Sequence, residues 1–260
     1  MLLAINANNT NTVFAVWDGD KLRGVWRAAT DSRRTADEYV VWLDHLLGLA
    51  DLSRRYIEGT VIASVVPEAN FNLRRFCRDY CHSDPLVVGE PGVALGTRAV
   101  VDRPEEVGAD RLVNTIAAHE RYRGPLIVVD FGTATTFDVV DDAGDYRGGV
   151  IAPGINLSLQ ALAMAAAKLP SVPIARTRAV IGTSTVACMQ SGIFWGYVGL
   201  VEGLVRRIRD EYGAPMSVIS TGGLAPLFEG ATDAIERTDP ELTLRGLRLV
   251  YERNRGAGAA

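Results

Sequence analysis

The segment Asp130-Phe131-Gly132-Thr133-Ala134-Thr135-Thr136 follows the unbroken apolar run Leu126-Ile127-Val128-Val129. A loop at the end of a buried strand exposes backbone N–H groups, and glycine with small hydroxyl residues lets phosphate oxygens approach them. Asp130 in that place can hold a cation or a bound water, and Thr133 can donate to a phosphate. An aspartate capping a turn beside ordinary hairpin threonines has the same pattern. Glu106-Val107-Gly108-Ala109-Asp110-Arg111 sets charge beside a flexible glycine ahead of an apolar helix. Asp110 reads equally as a helix cap and as a base, with Arg111 as an anion clamp. Thr221-Gly222-Gly223-Leu224-Ala225 stands between an apolar strand and a helix, where a glycine pair brings a nucleotide against backbone N–H groups. Gly148–Gly154 is similar and also reads as a tight loop. Neither a Walker lysine motif nor a G-x-G-x-x-G motif is present.

The three histidines, His45, His82 and His119, are scattered, and Cys77, Cys81 and His82 lack a second ligand pair at zinc-like spacing. These residues read as structural or solvated. Tyr39, Trp42, Trp195 and Tyr197 read as core or interface residues.

The elements that must carry these residues follow from pattern. Leu2–Ile5 is a short apolar strand, followed by the polar run Asn6-Ala7-Asn8-Asn9-Thr10-Asn11, a second strand Val13–Trp17 and an Asp18-Gly19 turn. Asp37–Leu49, Asn70–Tyr80, Ala109–Arg121, Ala161–Lys168 and Ser191–Tyr212 read as helices. Tyr56–Val65, Pro85–Val88, Leu126–Val129, Phe137–Val140 and Val218–Ser220 read as strands, with a turn at Asp141–Gly144. Setting Leu2 on Leu126, an offset of 124, brings Asn6 onto Asp130, Asn8 onto Gly132 and Thr12 onto Thr136. Both copies read strand, polar loop, strand, turn, so the chain is expected to hold two related α/β halves, divided as 1–118 and 119–260.

The chain has 260 residues, a net charge of -4 and 48% hydrophobic residues. That balance argues against a nucleic-acid binder working by bulk charge. Three cysteines do not make a disulfide scaffold, and a reducing compartment fits. The N-terminus lacks a basic region and no apolar stretch reaches the roughly 20 residues of a membrane span. A soluble cytoplasmic protein, with no membrane or nucleic-acid partner and a frayed tail over Gly256–Ala260, is the expectation.

Taken together and in order, the N-terminal strand–loop–strand, Pro104–Asn114, Asp130–Thr136, Gly148–Gly154, Gln190-Ser191-Gly192-Ile193 and Thr221–Ala225 closely resemble the type III pantothenate kinases. These belong to the acetate kinase–sugar kinase–heat-shock 70–actin superfamily. The resemblance implies an α/β protein with a duplicated ribonuclease-H-like (actin-like ATPase) fold and an interdomain cleft. It also implies a homodimer, for which the apolar-rich segment Ile193–Val205 offers a surface. The activity implied is ATP-dependent phosphorylation of the primary hydroxyl of pantothenate to 4'-phosphopantothenate, the first step of coenzyme A synthesis. Magnesium and a monovalent cation, potassium or ammonium, come with it.

By the same resemblance, Asn6, Ala7, Asn8, Asn9, Thr10, Asn11, Thr12 and Val13 form the first phosphate loop, and Thr133, Gly222 and Gly223 contact ATP. Asp110 is the general base, and Val101, Gly108, Ala109, Asp110, Arg111 and Thr185 are on the pantothenate side. Asp130 is the monovalent-cation ligand. The chain departs from the family where the first loop reads Asn6-Ala7-Asn8-Asn9-Thr10 in place of Asp-x-Gly-Asn-Thr, where Val101 replaces a frequent tyrosine, and where Thr183 replaces a frequent lysine. The missing acid and glycine leave three readings: a slower true kinase, a loop variant, and a nucleotide-binding paralogue without turnover.

Overall fold

Leu2–Ala7 (β1) is buried along its whole length, the environment its continuous apolar run demands. It pairs antiparallel with Asn11–Asp18 (β2), which pairs antiparallel with Lys21–Ala29 (β3). On its other side β1 runs parallel to Gly59–Ser64 (β4), beside Leu86–Val87 (β5), giving the order β3-β2-β1-β4-β5. The computed structural model describes residues 1–165 and 169–255.

Ala36–Leu49 (α1) and Pro67–Cys81 (α2) cover one face of this sheet, packing Tyr39, Leu43, Leu73 and Phe76 on Leu3, Ile5 and Phe14. A capping box starts α1: Glu38 N donates to Thr35 Oγ1 at 3.3 Å, and Thr35 N donates to Glu38 Oε2 at 2.7 Å. Ala109–Tyr122 (α3) covers the other face together with a C-terminal helix, Leu242–Asn254, labelled α7.

The second sheet repeats the plan. Leu126–Phe131 (β6) pairs antiparallel with Ala134–Val140 (β7), and β7 with Tyr146–Pro153 (β8). Ser217–Thr221 (β9) lies parallel to β6, and Arg237–Thr238 (β10) parallel to β9. The order β8-β7-β6-β9-β10 matches that of the first sheet. Ile155–Ala165 (α4), Thr185–Tyr212 (α5) and Ala225–Phe228 (α6) complete the unit, with Phe194, Tyr197, Val201 and Phe228 packed on Ile127, Val129 and Phe131.

The compact units are Met1–Glu120 with the chain from Glu241 onward, and Arg121–Pro240. The first boundary falls two residues past the expected one. The end of the chain belongs with the first unit, whereas the division at 118/119 leaves it with the second. Arg121 Nη1 donates to Asp239 Oδ2 at 2.9 Å and the Tyr122 hydroxyl donates to the same oxygen at 3.2 Å, clasping the two ends of the second unit.

Other expectations need correction. Gly148–Gly154 is a strand, β8, up to Pro153, and not a tight loop; β7 supplies its ladder partners. α5 begins at Thr185, ahead of Ser191, because Ser184 caps it by accepting from Ala187 N at 3.2 Å. α4 begins at Ile155, ahead of Ala161; residues 166–168 and the tail 256–260 lie outside the described residues. The turn at Asp141 is as expected, with Asp141 Oδ1 accepting from Ala143 N and Asp145 N. Among the described residues no helix is long and apolar enough to cross a membrane.

Candidate active site

Ligands of open α/β sheets sit beyond the carboxyl ends of the parallel strands. In the first unit those are the ends of β1 and β4. Val65 N donates to the Ala7 carbonyl at 3.0 Å, tying the two ends together. Gly108 stands against Val65, so the first loop and the start of α3 meet there. The loop is braced from β3: Thr30 N donates to the Thr10 carbonyl at 3.0 Å and the Thr30 hydroxyl to the Asn8 carbonyl at 2.6 Å. Asn9, Thr10 and Asn11 are exposed at its tip, Thr12 is buried and Val13 is half-buried.

Strand alternation puts Asn6 in the row of Leu2 and Ala4, the face that carries α3. Asn6 is only 6% exposed. Its Oδ1, like that of Asn8, is buried without a hydrogen-bond partner. A buried oxygen of this kind can accept from a donor that a ligand or bound water brings. Asn8 does not take a positive φ, so its side chain is carried without left-handed strain. The backbone therefore makes no demand for glycine at that position.

Asp110 lies in the first turn of α3, and its Oδ1 accepts from Arg111 N at 2.8 Å. Burial raises its pKa above the ordinary aspartate value, outweighing the Arg111 N–H and guanidinium, which lower it. A carboxyl poised in this way makes a better proton acceptor. Val101 is half-buried in the long loop that leads from β5 to α3.

In the second unit the corresponding ends are those of β6 and β9, where Asp130 and Thr221 lie side by side in register. Gly222, next along, has φ +93°, and a side chain there would strike Asp130 Oδ1 and the Phe131 backbone. Glycine is thus required for the chain to pass Asp130 so closely. Phe131 points to the opposite face and stacks on Phe228 at 4.4 Å, anchoring the loop from below. Thr133 and Gly223 are exposed at the rim, and Thr185 is exposed at the start of α5. α6 is a single turn, so the loop's own N–H groups, rather than a helix dipole, are what it offers an anion.

One tyrosine read as a core residue also braces a loop. The Tyr197 hydroxyl donates to the Pro153 carbonyl and lies 2.8 Å from Thr135 Oγ1. Tyr39 is buried beneath the Arg34 guanidinium, 5.5 Å from the ring centre. An aromatic at helical spacing signals core, and nothing in the sequence distinguishes one that also supports a loop. Cys77 and Cys81 are buried, and burial pushes the Cys81 thiol up to about 12. No group of three His, Cys, Asp or Glu side chains converges as a metal site among the described residues.

Two sheets of identical connectivity, each opening with a hairpin whose loop carries the polar residues, make a duplicated α/β fold. The ROK hexokinase of Thermus thermophilus shares this fold, at a TM-score of 0.51 and 14% identity over 99% of both chains. The type III pantothenate kinase family profile matches residues 2–207. The chain is 65% identical to the type III pantothenate kinase of Rhodospirillum rubrum, over 98% of this chain and 99% of that one. It is 64% identical to that of Paramagnetospirillum magneticum, over 98% of each. The chain belongs to the type III pantothenate kinase family.

Proposed function

We infer that this protein transfers the γ-phosphoryl group of ATP to the primary hydroxyl of pantothenate, giving 4'-phosphopantothenate and ADP at the first step of coenzyme A biosynthesis. The observation that carries the reading is Asp110, a carboxyl of raised pKa at the carboxyl ends of β1 and β4, within a family-matching chain. Asp110 takes the alcohol proton as the oxygen attacks phosphorus. Arg111 suits the pantothenate carboxylate, which its fork can grip with two parallel bonds. Val101, Gly108, Ala109 and Thr185 complete the pantothenate side in this proposal.

The first loop, Asn6 to Val13, with Thr133, Gly222 and Gly223, is assigned to ATP. Phosphoryl transfer depends on position and charge stabilisation, which loop N–H groups provide. A divalent metal, here proposed to be magnesium, offsets phosphate charge when bound. The unpartnered Oδ1 of Asn6 fits a water of its shell. Asp130 is proposed to hold potassium or ammonium. Three free cysteines suit a reducing cytoplasm.

A homodimer belongs to the same proposal. Its support is a set of apolar side chains of the second unit left open to solvent: Met164 is 86% exposed, Ile181 85% and Ile151 65%. α5 also turns Gly192, Gly196 and Gly199 outward, leaving room for a close neighbour. Coupled ADP release, with and without pantothenate and with potassium or sodium, tests the activity. ADP release that ignores pantothenate overturns it.

A further inference from the structure

The first unit is closed by a contact that joins residues 160 positions apart. The loop between β5 and the short turn Pro104–Glu106 has no strand or helix of its own beyond a single bridge residue, yet it carries Val101 and leads into Gly108–Arg111. Its middle is held by the end of α7. Ala94 N donates to Asn254 Oδ1 at 2.8 Å, and Asn254 Nδ2 donates to the Ala94 carbonyl at 2.9 Å. One amide thus grips both polar groups of one residue, as a strand partner does. Asn254 Nδ2 also donates to the Val250 carbonyl at 2.7 Å, which fixes the amide's orientation. Arg253 Nη1 donates to the Leu95 carbonyl, and its guanidinium fills the space a side chain at Gly96 would need. Gly96 has φ +74°, so the turn requires glycine twice over. Val93 and Leu95 add apolar contact with the sheet face that α7 covers.

We propose that Asn254 and Arg253 are positioning residues for pantothenate: they strap the loop to α7 and thereby set Val101 and the Gly108–Arg111 segment. The inference rests on the functional reading above. A segment this long would otherwise sample many conformations, and a substrate-binding group displaced by even 1 Å loses much of its effect. α7 lies beyond the residues the family profile matches.

The test compares the parent with Asn254→Ala, Asn254→Asp and Arg253→Ala in the full chain. Steady-state kinetics and hydrogen exchange over residues 93–97 are measured together. Asn254→Ala is expected to raise KM for pantothenate about tenfold, leave KM for ATP within about twofold, and speed exchange at Ala94 and Gly96. Asn254→Asp keeps the acceptor for Ala94 N and should fall between parent and Asn254→Ala. Faster exchange with unchanged pantothenate KM overturns the proposal, as does unchanged exchange or a parallel rise in both KM values. A parent without pantothenate-dependent turnover overturns the functional reading and this inference with it.

Discussion

Thr12 and Thr135 occupy the same place in the two hairpins. Thr12 stands opposite Ala7, the last residue of β1, and Thr135 opposite Phe131, the last residue of β6. Both are buried, and both hydroxyls reach a bracing partner: Thr30 Oγ1 at 2.9 Å and the Tyr197 hydroxyl at 2.8 Å. The constant offset of 124 pairs Thr12 with Thr136 and so holds only as far as the loop. The first loop is one residue longer, and beyond it the equivalence shifts by one. Asn6 and Asp130 lie before the shift, and their correspondence stands.

Asp110→Asn should lower turnover by about 10²–10⁴-fold, the usual worth of a general base, with nucleotide affinity little changed. The same change should stabilise the fold at neutral pH. A raised carboxyl pKa means the folded protein holds the proton more tightly than the unfolded chain. Its stabilising contribution is full below the unfolded pKa and lost as pH rises through the folded value. At neutral pH the ionised, desolvated carboxyl is a cost that the amide removes. Thermal melts at neutral pH and steady-state rates check both halves; a lower Tm contradicts the electrostatic account.

Asn6→Asp should raise pantothenate-dependent turnover or tighten magnesium dependence, by about 10–100-fold if it restores a group that orients the metal's water shell. Asn8→Gly should change little, because Asn8 already sits without positive φ. A magnesium titration of both single variants and the double variant separates charge from backbone freedom. Equal magnesium curves for parent and Asn6→Asp would show that the first loop is not limiting.

Asp130 should make activity depend on the identity of the monovalent cation. Rates in potassium or ammonium should exceed those in sodium at constant ionic strength, which holds screening fixed, and Asp130→Asn should abolish the difference. Equal rates in all three salts remove Asp130 from that role.

Gly196→Glu tests the second-copy surface. Nothing lies within 4 Å of the position a Cβ would take, so an isolated chain accommodates the side chain. Glutamate is also the better helix former. The variant should keep its helical signal and run at the mass of one chain, while the parent runs at twice that mass. A parent already at 28.0 kDa in solution contradicts the dimer.

Sequence and structure agree where local pattern decides. The continuous apolar runs Leu2–Ile5 and Leu126–Val129 are central strands because both faces are covered. β8 is less legible: its glycines weaken the strand pattern, and many of its residues are exposed at the sheet's edge. The first turns of α5 are equally obscure, since Thr185–Cys188 put no residue into the core. The pattern reading assigns no strand to Lys21–Ala29 and no helix to Leu242–Asn254. The proposed site residues Asp110 and Asp130 are legible through their motifs. Asn254 is not, because its partner is a backbone amide and carbonyl 160 residues away.

The position of α7 bears on how the chain is made. Leu244, Leu247 and Val250 cover Leu2, Ala4, Val61 and Ala63, residues of β1 and β4 that are translated long before α7. That apolar sheet face is therefore completed only once α7 has been translated. The Arg121–Pro240 unit, with its ends clasped at Asp239, has all its own residues in hand sooner. Synthesis at about 5–20 residues per second makes the wait from β4 to α7 one of roughly ten to forty seconds, during which this sheet face is in need of protection from aggregation.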